Sequence, residues 1–368
     1  MTILPPHRLD LAGHRRRHGD LRLPGPGFAD VIAAANVRGR GGAGFPTAVK
    51  LRAVRGRRPI VVANGCEGDP HSHKDKTLLN LAPHLVLDGI QVAVAAIGAT
   101  DAVLCLHEGS PVAAGVAAAL AERSDPVPVR LAAIPPRYVA SEETALVHFL
   151  TSGDARPAGK HPRPAERGVD GRPTLVDNVE TLAQFALLAR LGLDGYSPAD
   201  LVTVTGAVRH PGVFEAPPGS PVGALLARAG GETEPLQAVL VGGYGGTWLP
   251  RDSGELVSGI SAVYALPARA CGLGYTAKIL AHLAAESARQ CGPCMFGLPA
   301  IAADFAELVR GGDATGRLAR RLPLLTGRGA CAHPDGAARL ATSALRVFAA
   351  DVSAHLSGHG CRVLAGAA

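Results

Sequence analysis

The sequence predicts an α/β protein built from more than one domain. Between residues 59 and 134, short apolar strands alternate with helical segments, a pattern typical of a mainly parallel sheet covered by helices. Near Ser197 the composition changes, and a β-plus-helix module of about 50 to 70 residues follows. After Thr276 the apolar spacing is helical almost throughout. At 368 residues the chain exceeds one ordinary core, so two or three domains are expected.

The first domain is predicted to start after an N-terminal arm, residues 1–25, which is polar and rich in proline. Helical spacing at 28–35 leads into a glycine loop at 38–44. The elements predicted after this loop are helices at 46–55, 83–97, 111–122 and 179–191, strands at 59–63, 102–106 and 127–134, and a long loop at 153–173. A further helix is predicted to run to residue 150, with Ser141 as its N-cap and Glu142 and Glu143 in its first turn.

The rest of the chain is predicted to form two smaller domains. Strands are predicted at 201–205, 213–214 and 238–241, with a helix at 221–229. The predicted boundaries are an arm at 1–25, an α/β domain at 26–195, a small β-plus-helix domain at 196–272 and a helical domain at 273–368.

Composition and charge narrow the possible functions. Apolar residues make up 47% of the chain and charged residues 18%, which favours a folded core. The net charge of +6 suits anionic ligands, although the basic run from His14 to His18 is interpreted as a solvated face or tail. Aromatic residues are only 4%, so nucleic acid is not an expected partner. We expect a cytoplasmic protein, since neither a signal peptide nor a membrane span is evident.

The glycine loop is the first candidate site. Gly39, Gly41 and Gly44 satisfy G-x-G-x-x-G, but a helix precedes them where a dinucleotide fingerprint requires a strand. Glycines still allow a phosphate to approach the backbone, the helix beginning at Pro46 directs N–H groups at it, and Lys50 can reach the same anion. On pattern alone, a glycine-rich turn that packs two helices is an equal alternative.

Longer strings around this loop resemble a known family. Residues 37–50, VRGRGGAGFPTAVK, resemble the FMN-binding loop of the NADH-binding flavoprotein subunit of bacterial NADH:quinone oxidoreductase (respiratory complex I). Related NAD-linked hydrogenases and formate dehydrogenases share it. Three further strings resemble the family in the same order: NGCEGDPHSHKD at 64–75, YVASEETAL at 138–146 and PTLVDNVETL at 173–182. Residues 201–231 resemble its soluble-ligand-binding (SLBB) domain, and the resemblance runs from about residue 28 to 340.

The resemblance implies a Rossmann-like FMN domain, then a small β-grasp domain and a C-terminal helical iron–sulfur domain. It implies an NADH dehydrogenase-like oxidoreductase subunit, in which FMN accepts hydride and passes single electrons to a [4Fe-4S]-type centre or a partner protein. A small ferredoxin-like or other redox subunit is the expected partner, either in the cytoplasm or at the periphery of a membrane complex. Glu67, Glu142 and Glu143 are the implied catalytic residues. Carried over by position, the cofactor site consists of Gly39, Arg40, Gly41, Gly42, Phe45, Lys50, Asn64, Cys66, Glu67, Asp69, Tyr138, Ser141, Glu142, Glu143, Asp177, Asn178 and Thr181.

The sequence departs from the family at this site. Four substitutions are small changes, but three of them alter charge or polarity beside an anionic ligand: Cys66 for Asp, Asp69 for Glu, Ser141 for Gly and Asp177 for Asn. Of the phenylalanines that hold the rings of NADH, Phe45 remains, while Ala53 and Arg163 occupy two others. Because one stacked ring contributes about 1–3 kcal/mol, we predict that the protein binds FMN but that NADH reduces it slowly. Cys66 is interpreted as a small buried thiol in preference to a flavin modulator.

The cysteines provide the second candidate site. Seven cysteines without a secretory context favour metal or redox chemistry over disulfides. Cys291-Gly-Pro-Cys294 is consistent with a thioredoxin-like dithiol, with two inert cysteines, or with cluster ligation. Residues 286–294 resemble the family string E-S-C-G-x-C-x-P-C with Ala288 in place of its first ligand, and Cys331 fills the fourth position.

The predicted metal ligands are therefore Cys291, Cys294 and Cys331. Three outcomes stay open: a cluster with a substitute ligand such as His333 or Cys361, a three-iron cluster, or no cluster. Two minor metal alternatives are the H-x-H of His71 and His73 and the tail residues His355, His359 and Cys361. The alternative functions are a degenerate FMN-binding or assembly subunit and a CGPC dithiol oxidoreductase.

Overall fold

The computed structural model describes residues 2–257 and 259–358. The molecule divides into two compact units. The first unit comprises residues up to 68, 73–201 and 215–218. The second comprises 69–72, 202–214 and the chain from 219 onward.

The first unit is built on a parallel four-stranded sheet with strand order β3-β2-β1-β4. Its strands are β1 (Ile60–Asn64), β2 (Asp101–His107), β3 (Val129–Ile134) and β4 (Thr174–Asn178). Its helices are α1 (Leu11–His18), α2 (Phe28–Ala34), α3 (Thr47–Ala53), α4 (Lys74–Leu81), α5 (Pro83–Ile97), α6 (Ala113–Ala121), α7 (Glu143–Ser152) and α8 (Val179–Gly195). The strands at the centre are apolar and buried, as expected for a parallel sheet covered on both faces.

The core of this unit brings α5 and α8 into very close contact. A Cβ atom at Gly89 of α5 would lie 1.8 Å from the carbonyl oxygen of Leu182 in α8, so only glycine fits there. In the sheet, Asn64 at the end of β1 is paired with Asn178 at the end of β4. The carboxyl ends of these two strands therefore meet at one edge, where α/β proteins commonly bind ligands.

The interpretation of the basic run from His14 to His18 as a solvated face or tail holds for Arg15 and Arg16, which are exposed, but is wrong for the two histidines. These residues lie in α1, and both His14 and His18 are buried. His14 Nε2 lies 2.6 Å from Asp88 Oδ2, and Arg123 and Arg190 also bind that carboxylate. A buried acid in α5 requires basic partners, and the basic run provides one of them.

The N-cap prediction for the helix near residue 143 is also wrong by one residue. Ser141 ends a 3-10 turn (Tyr138–Ser141), and Glu142 is the N-cap of α7. The carboxylate of Glu142 accepts the N–H groups of Thr144 and Ala145, at 2.9 and 3.0 Å. It thereby satisfies amides that have no acceptor within the helix.

The second unit contains a five-stranded mixed sheet with order β6-β5-β11-β8-β9 and a two-stranded pair, β10-β7. The strands are β5 (Asp200–Gly206), β6 (Gly212–Ala216), β7 (Ser220–Pro221), β8 (Leu236–Val241), β9 (Thr247–Pro250), β10 (Leu256–Val257) and β11 (Ala262–Pro267). The helices are α9 (Val222–Arg228), α10 (Gly272–Ala285), α11 (Leu298–Val309), α12 (Thr315–Arg321), α13 (His333–Val347) and α14 (Ala349–Leu356). Trp248 is fully buried, and its indole N–H donates to Thr276 Oγ1 at 2.9 Å.

Within the described residues, no single helix has the length and apolar composition needed to cross a membrane. The pair α4 and α5, bent by 97°, passes that test only when the two helices are counted together.

Candidate functional site

The glycine loop presents bare backbone at the surface of the first unit. It is closed by a hydrogen bond of 2.8 Å from Gly39 N–H to the carbonyl oxygen of Phe45. Gly41 and Gly42 are exposed, and no atom lies within 4 Å of the Cβ position at Gly42. Gly42 has φ +95° and Gly44 has φ +59°, conformations that favour glycine. A phosphate can therefore approach this backbone closely, which fits the predicted FMN site.

Arg40 is predicted to contact the cofactor, but its guanidinium points into the first unit. The residue is only 4% exposed and pairs with Asp200 and, at 3.8 Å, with Glu180. Its backbone N–H donates to Thr181 Oγ1 at 2.9 Å. These bonds to Thr181, Asp200 and Glu180 thus anchor the glycine loop to the interior of the first unit.

Lys50 lies on α3, one turn beyond the loop. Its Nζ is 2.6 Å from Glu143 Oε2 and 3.0 Å from the carbonyl oxygen of Val176. Burial alone lowers the pKa of Lys50, but the carboxyl groups of Asp177 and Glu143 outweigh it, and the net shift is upward. Lys50 is therefore a firmly charged cation at the strand ends.

Asp177 is buried at the end of β4, with only 3% of its surface exposed. Its Oδ2 has no hydrogen-bond partner among the described residues. Burial raises the pKa of this carboxyl to about 7, with Glu143 adding to the rise and Lys50 opposing it. Asp177 therefore changes charge near neutral pH.

The two paired asparagines are fixed by the loops around them. Asn178 Oδ1 accepts the N–H of Glu180 at 2.9 Å and so caps α8. Asn64 Nδ2 donates to the carbonyl oxygen of Ser141 at 2.8 Å, and its Oδ1 accepts the N–H of Cys66 at 3.1 Å. These bonds hold both amides at the carboxyl edge of the sheet.

The structure contains a buried ion cluster beside Asn178 that the sequence analysis did not include among the site residues. Lys74 Nζ lies 2.6 Å from Asp75 Oδ1 and 2.9 Å from Glu180 Oε2. Asn178 Nδ2 donates to Asp75 Oδ2 at 2.7 Å. Burial raises the pKa of Asp75. Lys74 and Asp75 are the last two residues of the family-like string at 64–75, so the resemblance could have identified them as site residues.

The three predicted catalytic glutamates have different positions. Glu67 is buried and accepts the N–H groups of Asp75 and Lys76, both at 3.2 Å, at the start of α4. Glu142 caps α7, and burial raises its pKa. Glu143 is partly exposed and pairs with Lys50. Two of the three carboxylates thus stabilise helix starts, while their catalytic assignment stays a prediction.

The other predicted residues are more dispersed. Cys66 is buried in an apolar cluster with Val62 and Ile134, and burial raises its thiol pKa, as expected for a small buried thiol. Asp69 lies in the second unit, where its Oδ2 accepts the N–H of Tyr244 at 2.7 Å. Tyr138 accepts a hydrogen bond of 3.0 Å from Ser141 Oγ at its carbonyl oxygen.

The expectation of weak NADH binding concerns three ring positions and stays a prediction. Phe45 is 40% exposed at the glycine loop. Ala53 and Arg163 are also exposed, and neither supplies an aromatic ring.

In the second unit the three predicted cysteine ligands are grouped. Cys291 precedes a π-helical turn (Pro293–Gly297) that contains the buried Cys294, and Cys331 is buried just before α13. Burial alone raises the pKa of Cys291, but hydrogen bonds from the N–H groups of Ala330 and Cys294 and from the Cys294 thiol bring it below its ordinary value. Burial raises the pKa of Cys294 to about 12, and Cys291 and Cys331 add to that rise. N–H groups directed at a sulfur suit a thiolate ligand of an iron–sulfur cluster.

The alternative ligands are placed as follows. His333 Nε2 lies 2.8 Å from the carbonyl oxygen of Leu283. Cys361 and His359 lie outside the described residues. His355 is buried, with Nε2 at 3.6 Å from Cys271 Sγ. The thiol set therefore fits three ligands of a cluster, and the chain has Ala288 at the position of the family's first ligand.

Single-ion sites are a different matter. Across residues 2–257 and 259–358, no three His, Cys, Asp or Glu side chains converge where one metal ion would sit. His71 Nε2 lies 2.8 Å from the hydroxyl of Tyr275, and His73 is exposed. Cysteines that ligate an iron–sulfur cube bind different irons and need not converge in this way.

An open glycine loop on a parallel sheet and a group of three thiols in a helical region define a flavin- and iron–sulfur-binding redox protein. Comparison with known families agrees. Residues 32–186 match the Nuo51 FMN-binding domain, residues 201–247 the SLBB domain, and residues 271–355 the iron–sulfur-binding region of NADH-ubiquinone oxidoreductase F.

Relatives and solved structures point the same way. The second NADH-quinone oxidoreductase F subunit of Rhizobium meliloti is 28% identical over 91% of this chain and 90% of its own. The corresponding protein of Streptomyces coelicolor is 28% identical over 90% and 84%, respectively. The structure of air-oxidised NAD+-reducing [NiFe]-hydrogenase matches 89% of this chain with a TM-score of 0.84 and 29% identity, and this chain spans 62% of that hydrogenase chain.

The chain is similar to the NADH-quinone oxidoreductase F subunits in all three of these regions. It is an FMN-binding oxidoreductase subunit of the NADH dehydrogenase type with a 4Fe-4S-binding region. This confirms the predicted resemblance, fold class, main function and cofactor set. Its relatives are subunits of multi-subunit oxidoreductases, which implies redox partners. The domain boundaries and the individual site residues stay predictions.

Proposed function

We propose that the glycine loop holds the phosphate of FMN through the N–H groups of Gly41 and Gly42, with the charge of Lys50 beside it. The observation that carries this proposal is the exposed backbone of the loop at the carboxyl edge of the sheet. Arg40 and Thr181 keep the loop in position by their internal bonds. When bound, FMN accepts a hydride from NADH and releases electrons one at a time.

The affinity for NADH is expected to be weaker than the affinity for FMN. Phe45 is the ring that this chain retains to stack on NADH, because Ala53 and Arg163 stand where phenylalanines are expected. Two missing rings at about 1–3 kcal/mol each reduce NADH affinity by orders of magnitude. Slow reduction by NADH follows from this loss.

Electrons leave through the second unit in this proposal. Cys291, Cys294 and Cys331 hold an iron–sulfur cluster by three thiolates, a number that fits either a three-iron cluster or a cube with one iron open to another ligand. The acceptor is a small ferredoxin-like or other redox subunit, in the cytoplasm or at the edge of a membrane complex. The multi-subunit nature of the relatives supports such a partner.

The decisive experiment is an anaerobic visible spectrum of the reconstituted protein during titration with NADH. We expect a flavin band after addition of FMN and slow bleaching on addition of NADH. If calorimetry with excess FMN detects no binding, the enzymatic proposal fails and the chain is an assembly subunit with the same architecture. Fast, tight reduction by NADH contradicts the weak nicotinamide site.

A dithiol oxidoreductase is the second candidate, because the Cys294 thiol donates a hydrogen bond to Cys291. The helix α10, not a strand, precedes this motif, which is unlike a thioredoxin domain. An insulin-reduction assay separates the two. Turnover that Cys294→Ser abolishes supports the dithiol, and absence of turnover removes it.

A further inference from the structure

The buried carboxyl of Asp177 has no evident structural role. Its Oδ2 lacks a hydrogen-bond partner among the described residues, which is a costly arrangement for a carboxylate. Lys50 Nζ is close by, because it donates to the carbonyl oxygen of Val176, the preceding residue. Lys50 nevertheless makes its short ion pair with Glu143, at 2.6 Å.

The charges around Asp177 come from two helices. Lys50 on α3 favours the ionised form, and Glu143 on α7 opposes it. Lys74, which donates to Asn178 Oδ1 at 3.3 Å, is already engaged by Asp75 and Glu180. Lys50 is consequently the cation that must balance Asp177 whenever that carboxyl ionises.

The net charge of this small cluster therefore depends on one proton. Glu142, the N-cap of α7, also acts on Lys50. With Asp177 protonated, Lys50 is opposed by Glu143 and Glu142 only, and the ammonium can turn its remaining donor capacity toward an anion. With Asp177 ionised, a third carboxylate faces the same cation, and the charge beside Lys50 becomes more negative by one. A phosphate dianion beside Lys50 is repelled by that charge.

We propose that Asp177 is a positioning residue for FMN. The proton on Oδ2 of Asp177 keeps the charge of Lys50 available to the flavin phosphate. Loss of that proton to solvent turns Lys50 toward the protein and weakens the bound phosphate. This inference rests on the proposed assignment of Lys50 to the phosphate of FMN.

The test is the affinity of the full-length protein for FMN, measured by flavin fluorescence quenching between pH 6 and 8.5 at constant ionic strength. The wild type is expected to lose about tenfold more affinity over this range than Asp177→Asn, which stays neutral. FMN itself titrates near pH 6, but equally in both proteins, so their difference isolates Asp177. In a second variant, Glu143→Gln, a carboxylate that raises the pKa of Asp177 is removed, so FMN is expected to bind more tightly at low pH and the loss of affinity is expected to move to lower pH.

Unfolding by urea provides a second readout without ligand. Burial raises the pKa of Asp177 from 3.8 to about 7, so the folded state holds this proton more tightly than the unfolded state. That contribution to stability is complete below pH 4 and is lost as the pH rises through about 7. Asp177→Asn should not show this loss.

Parallel FMN affinity profiles for the wild type and Asp177→Asn overturn the proposal. If the FMN affinity profiles are parallel but the wild type alone loses stability to urea as the pH rises through about 7, Asp177 has only a structural role. Failure of both proteins to bind FMN at any pH overturns the proposed function as well.

Discussion

The glycine loop and the three-cysteine group use different parts of the chain to make a site. In the FMN site proposed at the loop, the donors are backbone N–H groups, and what matters is the φ angle at Gly42 and the free space at Gly41 and Gly42. In the cysteine group each ligand is a side chain, so the alanine at 288 removes one ligand outright. A site made of backbone N–H groups thus tolerates side-chain substitutions around it, whereas a site made of metal-ligating side chains loses a ligand with a single substitution.

The same contrast extends to the surrounding residues. Cys66 and Ser141 replace the residues that the family has at these positions. Cys66 packs in the apolar core, and Ser141 ends a 3-10 turn. Asp177 differs, because it brings a titratable group to the strand ends. Variants in both regions test this contrast, beginning with the largest expected effect.

The largest effect is expected at the cysteines. Cys291→Ser leaves two thiols and should abolish the iron–sulfur signal after anaerobic reconstitution, whereas Ala288→Cys should increase bound iron toward a four-cysteine cluster. Iron and sulfide analysis with EPR measures both. Cys271→Ser is the matched control, because that cysteine caps α10 and lies outside the predicted ligand set. Wild-type iron content in Cys291→Ser would contradict the three-thiolate site.

The loop predictions separate backbone strain from ligand space. Gly42→Ala should lower the free energy of unfolding by about 1–3 kcal/mol, because φ is +95° there, and should weaken FMN binding. At Gly41 a Cβ would lie 4.0 Å from Asn178 Cβ, an ordinary contact. Gly41→Ala should therefore leave stability within about 0.5 kcal/mol of the wild type yet weaken FMN binding about tenfold. Calorimetry and urea unfolding check both, with Gly25→Ala as control; unchanged FMN affinity in both loop variants would refute the phosphate assignment.

The nicotinamide prediction is a gain of function. Ala53→Phe should restore one stacked ring and raise the apparent affinity for NADH about tenfold, since a stacked ring contributes roughly 1–3 kcal/mol. Stopped-flow bleaching of the flavin at increasing NADH concentrations measures it. Ala53→Leu adds apolar surface without a ring and serves as control. Equal improvement by leucine would show that stacking is not the missing contribution.

The smallest effect concerns the scaffold of the first unit. Burial lowers the pKa of His18 and of His84 to about 4, from an ordinary value of 6.5. The unfolded state therefore takes up protons first, so stability is complete above pH 6.5 and is lost as the pH falls toward 4. We expect a lower free energy of unfolding at pH 4.5 than at pH 7.5, measured by urea in the Asp177→Asn background, where that carboxyl cannot contribute its opposite pH dependence. His18→Gln should flatten this dependence, and an unchanged slope would show that His18 does not titrate on unfolding.

Individual missed elements show where sequence patterns stop being informative. The strand β4 (Thr174–Asn178) follows a long loop and is only five residues long, so it lacks a periodicity of its own. Its buried place in the sheet comes from pairing with β1, a contact across more than a hundred residues. Similarly, α4 (Lys74–Leu81) begins with two buried charges, which become compatible with burial only after Glu180 and Asn178 surround them.

By itself the sequence determined the order of the domains, most of the helices and strands of the α/β layer, the glycine loop and the absence of a cysteine at 288, because these depend on local periodicity and residue identity. Only the tertiary structure decided that Arg40 faces inward, that Glu67 and Glu142 cap helices, and that His14 is buried against Asp88. A charged side chain adopts its position according to which distant groups neutralise it, and those groups meet only when the chain has folded.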